Sequence, residues 1–367
     1  MASFSLPILV FAAVAPSAEP PATVAAPFVE ECAVEPLSLS ERAAQTIMMG
    51  IPGQGLGEGA ADLVARYAGA VIIQGYNVRD ATQLAALTRA LHETGRRRLL
   101  VAVDEEGGRV SRLSAKSVAT ELPPARELAA SRTTDEVRRL GSTLGAEMRE
   151  LGMDWNLAPV LDVSDAPDET VIGDRSYSAD PEKAAAYAAA FAEGLAGAGI
   201  LTTGKHFPGH GATATDSHET LPTVEAPRDQ LDGHLLPYLR LRSELDSVMT
   251  AHVLFTALDG RWPASVSPSA IRLLREEIGY QGLVITDALE MDAISERWSI
   301  PEAAELAIRA GSDMVLIGPW REVAATARGL VRAVRDGSLP AQRLDEATGR
   351  VLALKGYPSS TVGCLLA

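Results

Sequence analysis

The strongest constraint on the fold is an alternation of short β-rich runs with longer amphipathic segments, repeated eight times between Leu39 and Lys355. The predicted strands are Ile47–Ile51, Ala70–Gln74, Leu99–Val103, Asp154–Val163, Leu201–Lys205, Ser247–His252, Leu283–Asp287 and Met314–Ile317. The segments with helical spacing of apolar residues include Asp80–Glu93, Asp180–Ala198, Ser267–Glu277, Pro301–Ala310 and Glu322–Arg335. This pattern predicts an α/β protein with a TIM-type (β/α)8 barrel. An open doubly wound sheet is the alternative, because the fourth and eighth units are the least regular.

Length and hydrophobic content favour one domain. The chain has 367 residues, of which 47% are hydrophobic, so it can bury one large core. We expect a single catalytic domain over 39–356, preceded by a signal-like or disordered segment over 1–38 and followed by a C-terminal tail over 357–367. A monomer is expected.

The charge balance is acidic, with a formal net charge of −15 and a pI near 4.9. This argues against a general binder of nucleic acid or anionic lipid, because such binding depends on Lys and Arg counter-charges. A small neutral or sugar-like ligand fits better. The two cysteines, Cys32 and Cys364, lie at opposite ends and outside every motif, which indicates neither a disulfide framework nor a thiolate metal site.

The N-terminal segment resembles a short secretory signal. Phe4–Ala18 is apolar, and Ala13-Val14-Ala15 offers a small-residue cleavage pattern. A basic n-region is missing, because the first basic residue is Arg42. We therefore expect a secreted or cell-envelope protein, with a disordered cytoplasmic extension as the alternative. The run is too short to predict a membrane-spanning helix.

Polar residues follow four of the predicted strands at the point where each ends. They are Asp104–Arg112, Lys205-His206, Thr250–His252 and Thr286-Asp287. Barrels of this class build their sites at the carboxyl ends of strands. A carboxylate at a strand end can also simply cap the next helix, but four strand ends with the same signature favour a functional site.

The segment from Gly204 to Pro222 holds three of the six histidines among glycines and prolines. His206, His210, Asp216 and His218 are atom types that could hold a metal. Their spacing matches neither H-E-x-x-H nor a compact two-metal carboxylate pattern. We therefore expect no metal and no cofactor, with a metal-dependent hydrolase as a minor alternative.

Together the motifs V-D-E-E-G-G-R-V-S-R, I-G-D-R-S-Y, G-K-H-F-P-G-H-G, T-D-S-H, M-T-A-H-V and I-T-D-A-L-E-M resemble family 3 of the glycoside hydrolases, and within it the bacterial β-N-acetylhexosaminidases. The resemblance covers roughly Leu39–Lys355. It implies that Asp287 is the nucleophile of a retaining mechanism. It also implies that His218, oriented by Asp216, is the acid/base. An imidazole can donate and accept a proton near neutral pH, and residues i and i+2 of an extended loop project to the same side.

The resemblance further implies a sugar clamp. Asp104 would accept hydrogen bonds from ring hydroxyls, and Arg112 and Arg175 would hold hydroxyls or the acetamido region. Lys205 and His206 would donate to the hydroxyls of the terminal sugar. By contrast, His210 is expected to be mainly structural through the loop backbone, and His252 is expected to be part of the site wall.

The function implied is removal of terminal, non-reducing β-linked N-acetylglucosamine, with cell-wall fragments as the expected source. Family 3 β-glucosidases add a second domain that supplies the acid/base, and this chain ends soon after the eighth unit, so we expect the acid/base within the barrel. A β-glucosidase, a mixed-specificity enzyme, a phosphorylase and a catalytically inactive sugar-binding barrel stay open.

Overall fold

Twelve strands are present in a computed structural model, which describes Met1, residues 34–213 and residues 215–367. They are β1 Ile47–Gly50, β2 Ala70–Ile73, β3 Leu100–Val103, β4 Glu105–Gly107, β5 Val110–Ser111, β6 Trp155–Asn156, β7 Thr203–Phe207, β8 Thr223–Val224, β9 Ser247–Thr250, β10 Leu254–Phe255, β11 Leu283–Ala288 and β12 Met314–Ile317. Eight of them form one parallel sheet in the order β6-β3-β2-β1-β12-β11-β9-β7.

The two edges of this sheet meet. Parallel bridges join Trp155 to Leu201 and Val160 to Lys205, next to β6 and β7. The first and last strands of the chain are also neighbours, with Ile47 opposite Val315. The sheet is therefore a nearly closed barrel. This confirms the predicted (β/α)8 class and excludes the open doubly wound sheet, whose edges would not pair.

Helices surround the barrel. They are α1 Leu39–Gln45, α2 Glu58–Tyr67, α3 Ala81–Thr94, α4 Ala125–Ser131, α5 Thr134–Glu150, α6 Pro181–Gly197, α7 Asp232–Leu241, α8 Pro268–Arg272, α9 Asp292–Ser295, α10 Ile300–Ala310, α11 Val323–Asp336, α12 Ala341–Leu354 and α13 Ser359–Leu366. Local chemistry fixes several starts: the side chain of Asp80 caps α3, and Thr133 with Glu136 forms a capping box at α5. The predicted helix Ser267–Glu277 is α8 followed by one π-helical turn, Leu273–Glu277.

Alternation along the strands builds two apolar layers. Met48 and Ile72 point into the barrel, where they pack in one buried cluster. Their neighbours Met49 and Val71 belong to the larger cluster between strands and helices. Both faces of each strand are buried, as expected for a parallel barrel.

The fourth strand is where the sequence prediction is least accurate. The prediction placed a strand over Asp154–Val163, but β6 holds only two residues. Beyond it the chain stays near β7, because the backbone N–H of Lys205 bonds the carbonyl of Pro159 and that of Leu161 bonds the carbonyl of Lys205. Pro159 has no N–H to continue the ladder.

The predicted signal-like run Phe4–Ala18 and Cys32 lie outside the described residues. Cys364 in α13 is disulfide-bonded, a bond that the sequence analysis did not predict. Across residues 34–213 and 215–367, no helix is both long and apolar enough to cross a membrane.

Candidate active site

A cavity of about 130 Å³ opens at the carboxyl end of the barrel strands. It receives side chains from β7, β9, β11 and β12 and from the segments that follow β3, β6 and β7. Its described lining is Asp104, Glu106, Val110, Arg112, Val171, Arg175, Lys205, His206, His210, Ser217, His218, Met249, Asp287 and Leu316. Seven of the eight sequence-predicted site residues line it, and the eighth, Asp216, is hydrogen-bonded to His218.

Asp287 lies near the end of β11, where its side chain is only partly buried. Its Oδ1 accepts a hydrogen bond of 2.8 Å from the backbone N–H of Ala288. Burial alone would raise the pKa of this carboxyl. The imidazoles of His206 and His252, the Ala288 N–H and Lys205 together outweigh burial and hold the pKa below its ordinary value. Asp287 is therefore kept as a carboxylate.

His252 supports the backbone beside Asp287. Its Nε2 donates to the carbonyl of Ala288 at 2.9 Å, so its Nδ1 accepts from the hydroxyl of Ser265 at 2.7 Å. The ring is fully buried, and burial lowers its pKa. It is absent from the described lining of the cavity, so it positions the end of β11 from behind.

Lys205 is held by two carboxylates. Its Nζ lies 2.7 Å from Oδ1 of Asp104 and 2.6 Å from Oε1 of Glu106. Burial would lower the pKa of Lys205, but these two acids raise it. The ammonium is therefore charged, and its direction is fixed by the end of β3.

Glu106 is the residue that the sequence analysis missed at this point. It receives Nε and Nη2 of Arg175 in a bidentate pair, at 2.8 and 2.9 Å, besides the bond from Lys205. Burial would raise the pKa of Glu106, but Arg175 and Lys205 hold it well below its ordinary value. Arg175 also donates to the carbonyl of Val171 at 2.9 Å. Most N–H donors of the Arg175 guanidinium are thus bonded within the protein. Arg175 therefore supports the site structurally more than it offers free donors to a sugar.

Arg112 differs from Arg175. Its Nε is buried and has no hydrogen-bond partner among the described residues, although its backbone N–H is held by Glu105 at 2.7 Å. A buried unsatisfied donor costs free energy unless something binds it. Arg112 therefore lines the cavity with an Nε–H donor that is available to a ligand.

Asp162 is a second acid that the sequence analysis missed. It is fully buried and accepts from Nδ1 of His206 at 2.7 Å and from the backbone N–H of His210 at 2.6 Å. His206 therefore carries its proton on Nδ1, and its Nε2 lies 3.4 Å from Nη2 of Arg175. The signal was present: Asp162 stands near the end of the fourth predicted strand.

Asp216 and His218 form a hydrogen-bonded pair. Oδ1 of Asp216 accepts from Nδ1 of His218 at 2.8 Å and from its backbone N–H at 2.9 Å. The reason given from the sequence, an extended loop, is wrong: residues 217–219 form a turn, in which Glu219 and Thr220 bond back to the carbonyl of Asp216. Burial raises the pKa of Asp216, but the N–H groups of His218 outweigh it and lower the pKa. The side chain of His218 is 65% exposed.

Ser217, between these two residues, is buried and anchors their turn. Its Oγ lies 2.8 Å from Nε2 of His210, and its carbonyl accepts from the N–H of Ala293 at 3.3 Å. The other ring nitrogen of His210 lies 2.9 Å from the hydroxyl of Thr213. The ring of His210 thus bonds two side-chain hydroxyls, where the sequence analysis expected the loop backbone.

Glu290 links two strand ends. Both carboxylate oxygens lie 3.1 Å from the backbone nitrogen of Gly318, just after β12. Burial raises the pKa of Glu290, and it is not among the described lining of the cavity. In the described part of the chain, no three His, Cys, Asp or Glu side chains are grouped so that they could hold a metal ion.

The chain matches known proteins over most of its length. It is 40% identical over 355 residues to the β-hexosaminidase LpqI of Mycobacterium tuberculosis, covering 92% of this chain and 89% of the relative. The solved structure of M. tuberculosis LpqI has a TM-score of 0.81 and covers 88% of this chain and 95% of that chain. A family 3 β-N-acetylglucosaminidase from Paenibacillus sp. str. FPU-7 has a TM-score of 0.84 at 36% identity, covering 89% of this chain and 63% of that chain. The family described as glycosyl hydrolase family 3 N terminal domain matches residues 38–354. The chain therefore belongs to glycoside hydrolase family 3.

Proposed function

We propose that this protein is a retaining exo-β-N-acetylglucosaminidase in which Asp287 is the nucleophile and His218, oriented by Asp216, is the acid/base. One observation carries the proposal. Asp287 and His218 line the same small cavity, while Asp216 binds Nδ1 of His218. Only Nε2 of this imidazole is then left to exchange protons with a substrate.

The first half-reaction forms a glycosyl-enzyme bond. Oδ1 of Asp287 is occupied by the Ala288 N–H, so Oδ2 attacks the anomeric carbon. The glycosidic C–O bond breaks, and its electron pair goes to the leaving oxygen. His218 in its imidazolium form gives its Nε2 proton to that oxygen. Retaining glycosidases follow this sequence with two groups on opposite sides of the sugar.

The second half-reaction frees the enzyme. Neutral His218 takes a proton at Nε2 from a water molecule, which attacks the anomeric carbon and breaks its bond to Asp287. The sugar leaves with the configuration that it had in the substrate. His218 is again an imidazolium and Asp287 again a carboxylate, so protons and charges balance over the cycle.

The sugar would be held by the cavity's polar lining. Arg112 has an unsatisfied Nε donor, and Asp104 and Lys205 present a carboxylate and an ammonium that are already mutually oriented. The base of the cavity includes Met249 and Leu316, which belong to the apolar interior of the barrel. A small cavity with a closed base favours binding of the end of a sugar chain over binding of its interior. We therefore propose exo action.

The N-acetylhexosaminide preference is supported by the relatives, which are a β-hexosaminidase and a β-N-acetylglucosaminidase by name. We propose bacterial cell-wall fragments as the source of the substrate, on the family resemblance. We also propose export, because Phe4–Ala18 is signal-like in sequence and because disulfides such as that of Cys364 persist in oxidising compartments.

The decisive experiment measures release of 4-nitrophenol from its β-N-acetylglucosaminide and from its β-glucoside. Asp287→Ala should lower kcat by on the order of 10⁴-fold or more, while Asp292→Ala, which removes an exposed carboxylate five residues later, should leave it unchanged. No release by the intact protein would refute the enzyme and favour a sugar-binding barrel. Faster release from the glucoside would assign a β-glucosidase.

His218→Ala tests the acid/base separately. Cleavage of a poor leaving group should fall by about 10²–10⁴-fold, whereas 4-nitrophenol, which needs little protonation, should leave in the first step almost normally. The matched variant is His92→Ala, an exposed histidine at the end of α3. Unchanged turnover of the poor leaving group in His218→Ala would remove the dyad from the mechanism.

A phosphorylase is the second candidate, because a neutral imidazole base does not repel an incoming phosphate as a carboxylate would. Products formed with and without phosphate separate the two reactions. Free N-acetylglucosamine alone in both reactions would exclude the phosphorylase.

A further inference from the structure

A second, larger cavity lies on the face of the barrel opposite the active site. Its volume is about 690 Å³, and it lies among α1, α2, α11 and the loop that precedes β3. Because α2 and α11 end and β3 begins on this side, it is the face formed by the amino ends of the strands. The active site uses the carboxyl ends, so the two cavities share no described lining residue.

Arginines dominate the described lining of this cavity. They are Arg66, Arg96, Arg97, Arg328, Arg332 and Arg335. Arg66 pairs with Asp62 at 2.7 Å, whereas the other five form no ion pair with any described residue. Among the described lining residues the only carboxylate is that of Glu41, which already accepts the backbone N–H and the hydroxyl of Ser38 at 2.9 and 2.7 Å. In a protein of net charge −15, this is a local concentration of positive charge.

The loop that supplies two of these arginines has an unusual backbone. Arg97 and Arg98 have φ angles of 57° and 53°, the left-handed region that glycine and asparagine occupy far more readily than arginine. Two consecutive arginines thus occupy positions whose left-handed backbone conformation glycine or asparagine would adopt more easily. Residues in such unfavourable backbone conformations are often found at functional sites.

A buried lysine lies directly behind the cavity. Nζ of Lys355 donates to Oε1 of Gln45 at 2.6 Å, and Gln45 is part of the cavity lining. Burial, with a contribution from Arg98, lowers the pKa of Lys355 to about 7. Because a lysine with a pKa of about 7 is only partly protonated at neutral pH, the positive charge of the cavity comes from the arginines of its walls.

Guanidinium groups match phosphate oxygens in paired hydrogen bonds. A phosphate ester carries up to two negative charges and three acceptor oxygens, which suits several converging arginines better than one carboxylate does. The volume lies within the range of small-molecule sites, roughly 300–1,000 Å³, and Tyr67 adds an aromatic wall. We propose that this arginine cavity binds a phosphate ester. The phosphate could belong to a soluble molecule or to a lipid headgroup.

The test measures binding to the full-length protein with two probes. Calorimetric titration with pyrophosphate examines the soluble source, and flotation with phosphatidylglycerol vesicles, compared with phosphatidylcholine vesicles, examines the lipid source. The variant carries Arg97→Gln and Arg332→Gln. The control, Arg139→Gln, makes the same change at an exposed arginine of α5 without an ion pair among the described residues. Thermal unfolding and glycosidase activity establish that each protein is folded.

We expect saturable binding of one probe, weakened at least about tenfold in the double variant, since each substitution removes charge-assisted hydrogen bonds from a guanidinium to the phosphate. The control should bind as the intact protein does. Pyrophosphate binding assigns a soluble ligand, and binding to phosphatidylglycerol vesicles alone assigns a headgroup. No binding of either probe, or binding that the double variant retains, overturns the proposal.

Discussion

Oγ of Ser217 lies 2.8 Å from Nε2 of His210, and this bond ties the turn that carries Asp216 and His218 to the barrel. His210 is itself fixed, because its backbone N–H binds Asp162. The turn of Asp216 and His218 is thus connected through the buried Ser217 to His210, and through His210 to the buried carboxylate of Asp162. The loop has a defined docked position over the cavity.

Loss of this bond should impair proton delivery more than sugar binding. Ser217→Ala should lower kcat about tenfold for a poor leaving group, with little change for 4-nitrophenol, because only the position of His218 is disturbed. Ser217→Thr keeps the hydroxyl and should retain most activity. The measurement is kcat and KM over a series of leaving groups.

Thr215→Ala is the control for this prediction, since Thr215 is exposed in the same loop. An equal loss of kcat for every leaving group in Ser217→Ala would indicate a general structural effect and contradict the positioning role.

Asp287 should remain ionised into acid solution, because its pKa is held below the ordinary value of an aspartate. In His218→Ala the proposed acid/base is absent, so the acid limb of kcat/KM for a good leaving group reports the proposed nucleophile, Asp287. We expect kcat/KM of this variant to stay flat from pH 7 down to about 4.5, where unperturbed aspartates near 3.9 are still mostly ionised. A midpoint above about pH 5 would contradict the assigned electrostatics.

Glu106 should be essential for stability as well as for the site. Glu106→Gln removes the charge that balances Arg175 and Lys205, and breaking a buried ion pair costs about 3–5 kcal/mol. Because the folded pKa of Glu106 is depressed, its contribution is present above the unfolded pKa and is lost as pH falls towards the folded one. Urea unfolding at several pH values measures this.

Glu121→Gln, at an exposed glutamate, should leave the free energy of unfolding unchanged. A Glu106→Gln protein as stable as the intact one at pH 7 would show that the pair contributes nothing.

Lys355 predicts a pH dependence in the same direction as that of Glu106, but in a neutral to alkaline range. Its folded pKa of about 7 lies below the ordinary lysine value of 10.5, so the unfolded chain binds more protons between these values and stability rises with pH there. The limiting slope is about 1.4 kcal/mol per pH unit. Lys355→Met should remove this slope, whereas Lys116→Met, at an exposed lysine, should keep it. Parallel stability curves for Lys355→Met and the intact protein would contradict the prediction.

The barrel was predictable because parallel strands buried on both faces leave a strong apolar signal and because amphipathic helical segments separate them. The same reasoning located Asp287 and Lys205, since strand ends are positions in the sequence as well as in space. It lost accuracy at the fourth strand, where Pro159 interrupts the ladder and Leu157 and Leu161 are held by isolated bonds.

The supporting acids were harder to predict. Glu106 is one of two adjacent glutamates, and nothing local distinguishes it from Glu105, which holds the backbone of Leu113 instead. Asp162 acts on histidines more than forty positions later. The partners of Glu106 and Asp162 depend on which strands lie next to each other in the barrel. No short sequence pattern shows which distant residues these strands bring into contact.

The partnership of Glu106 with Lys205 and Arg175 has a consequence for selectivity. Among the described lining residues, Asp104, Glu106 and Asp287 balance Arg112, Arg175 and Lys205 in charge, and an imidazolium at His218 is balanced by Asp216. The pocket therefore exerts little net attraction on either an acidic or a basic sugar. Substrate selectivity must then depend on the shape of the sugar ring and the direction of its hydroxyls. An uncharged hexosamine derivative is the kind of molecule that a pocket without net charge binds most readily.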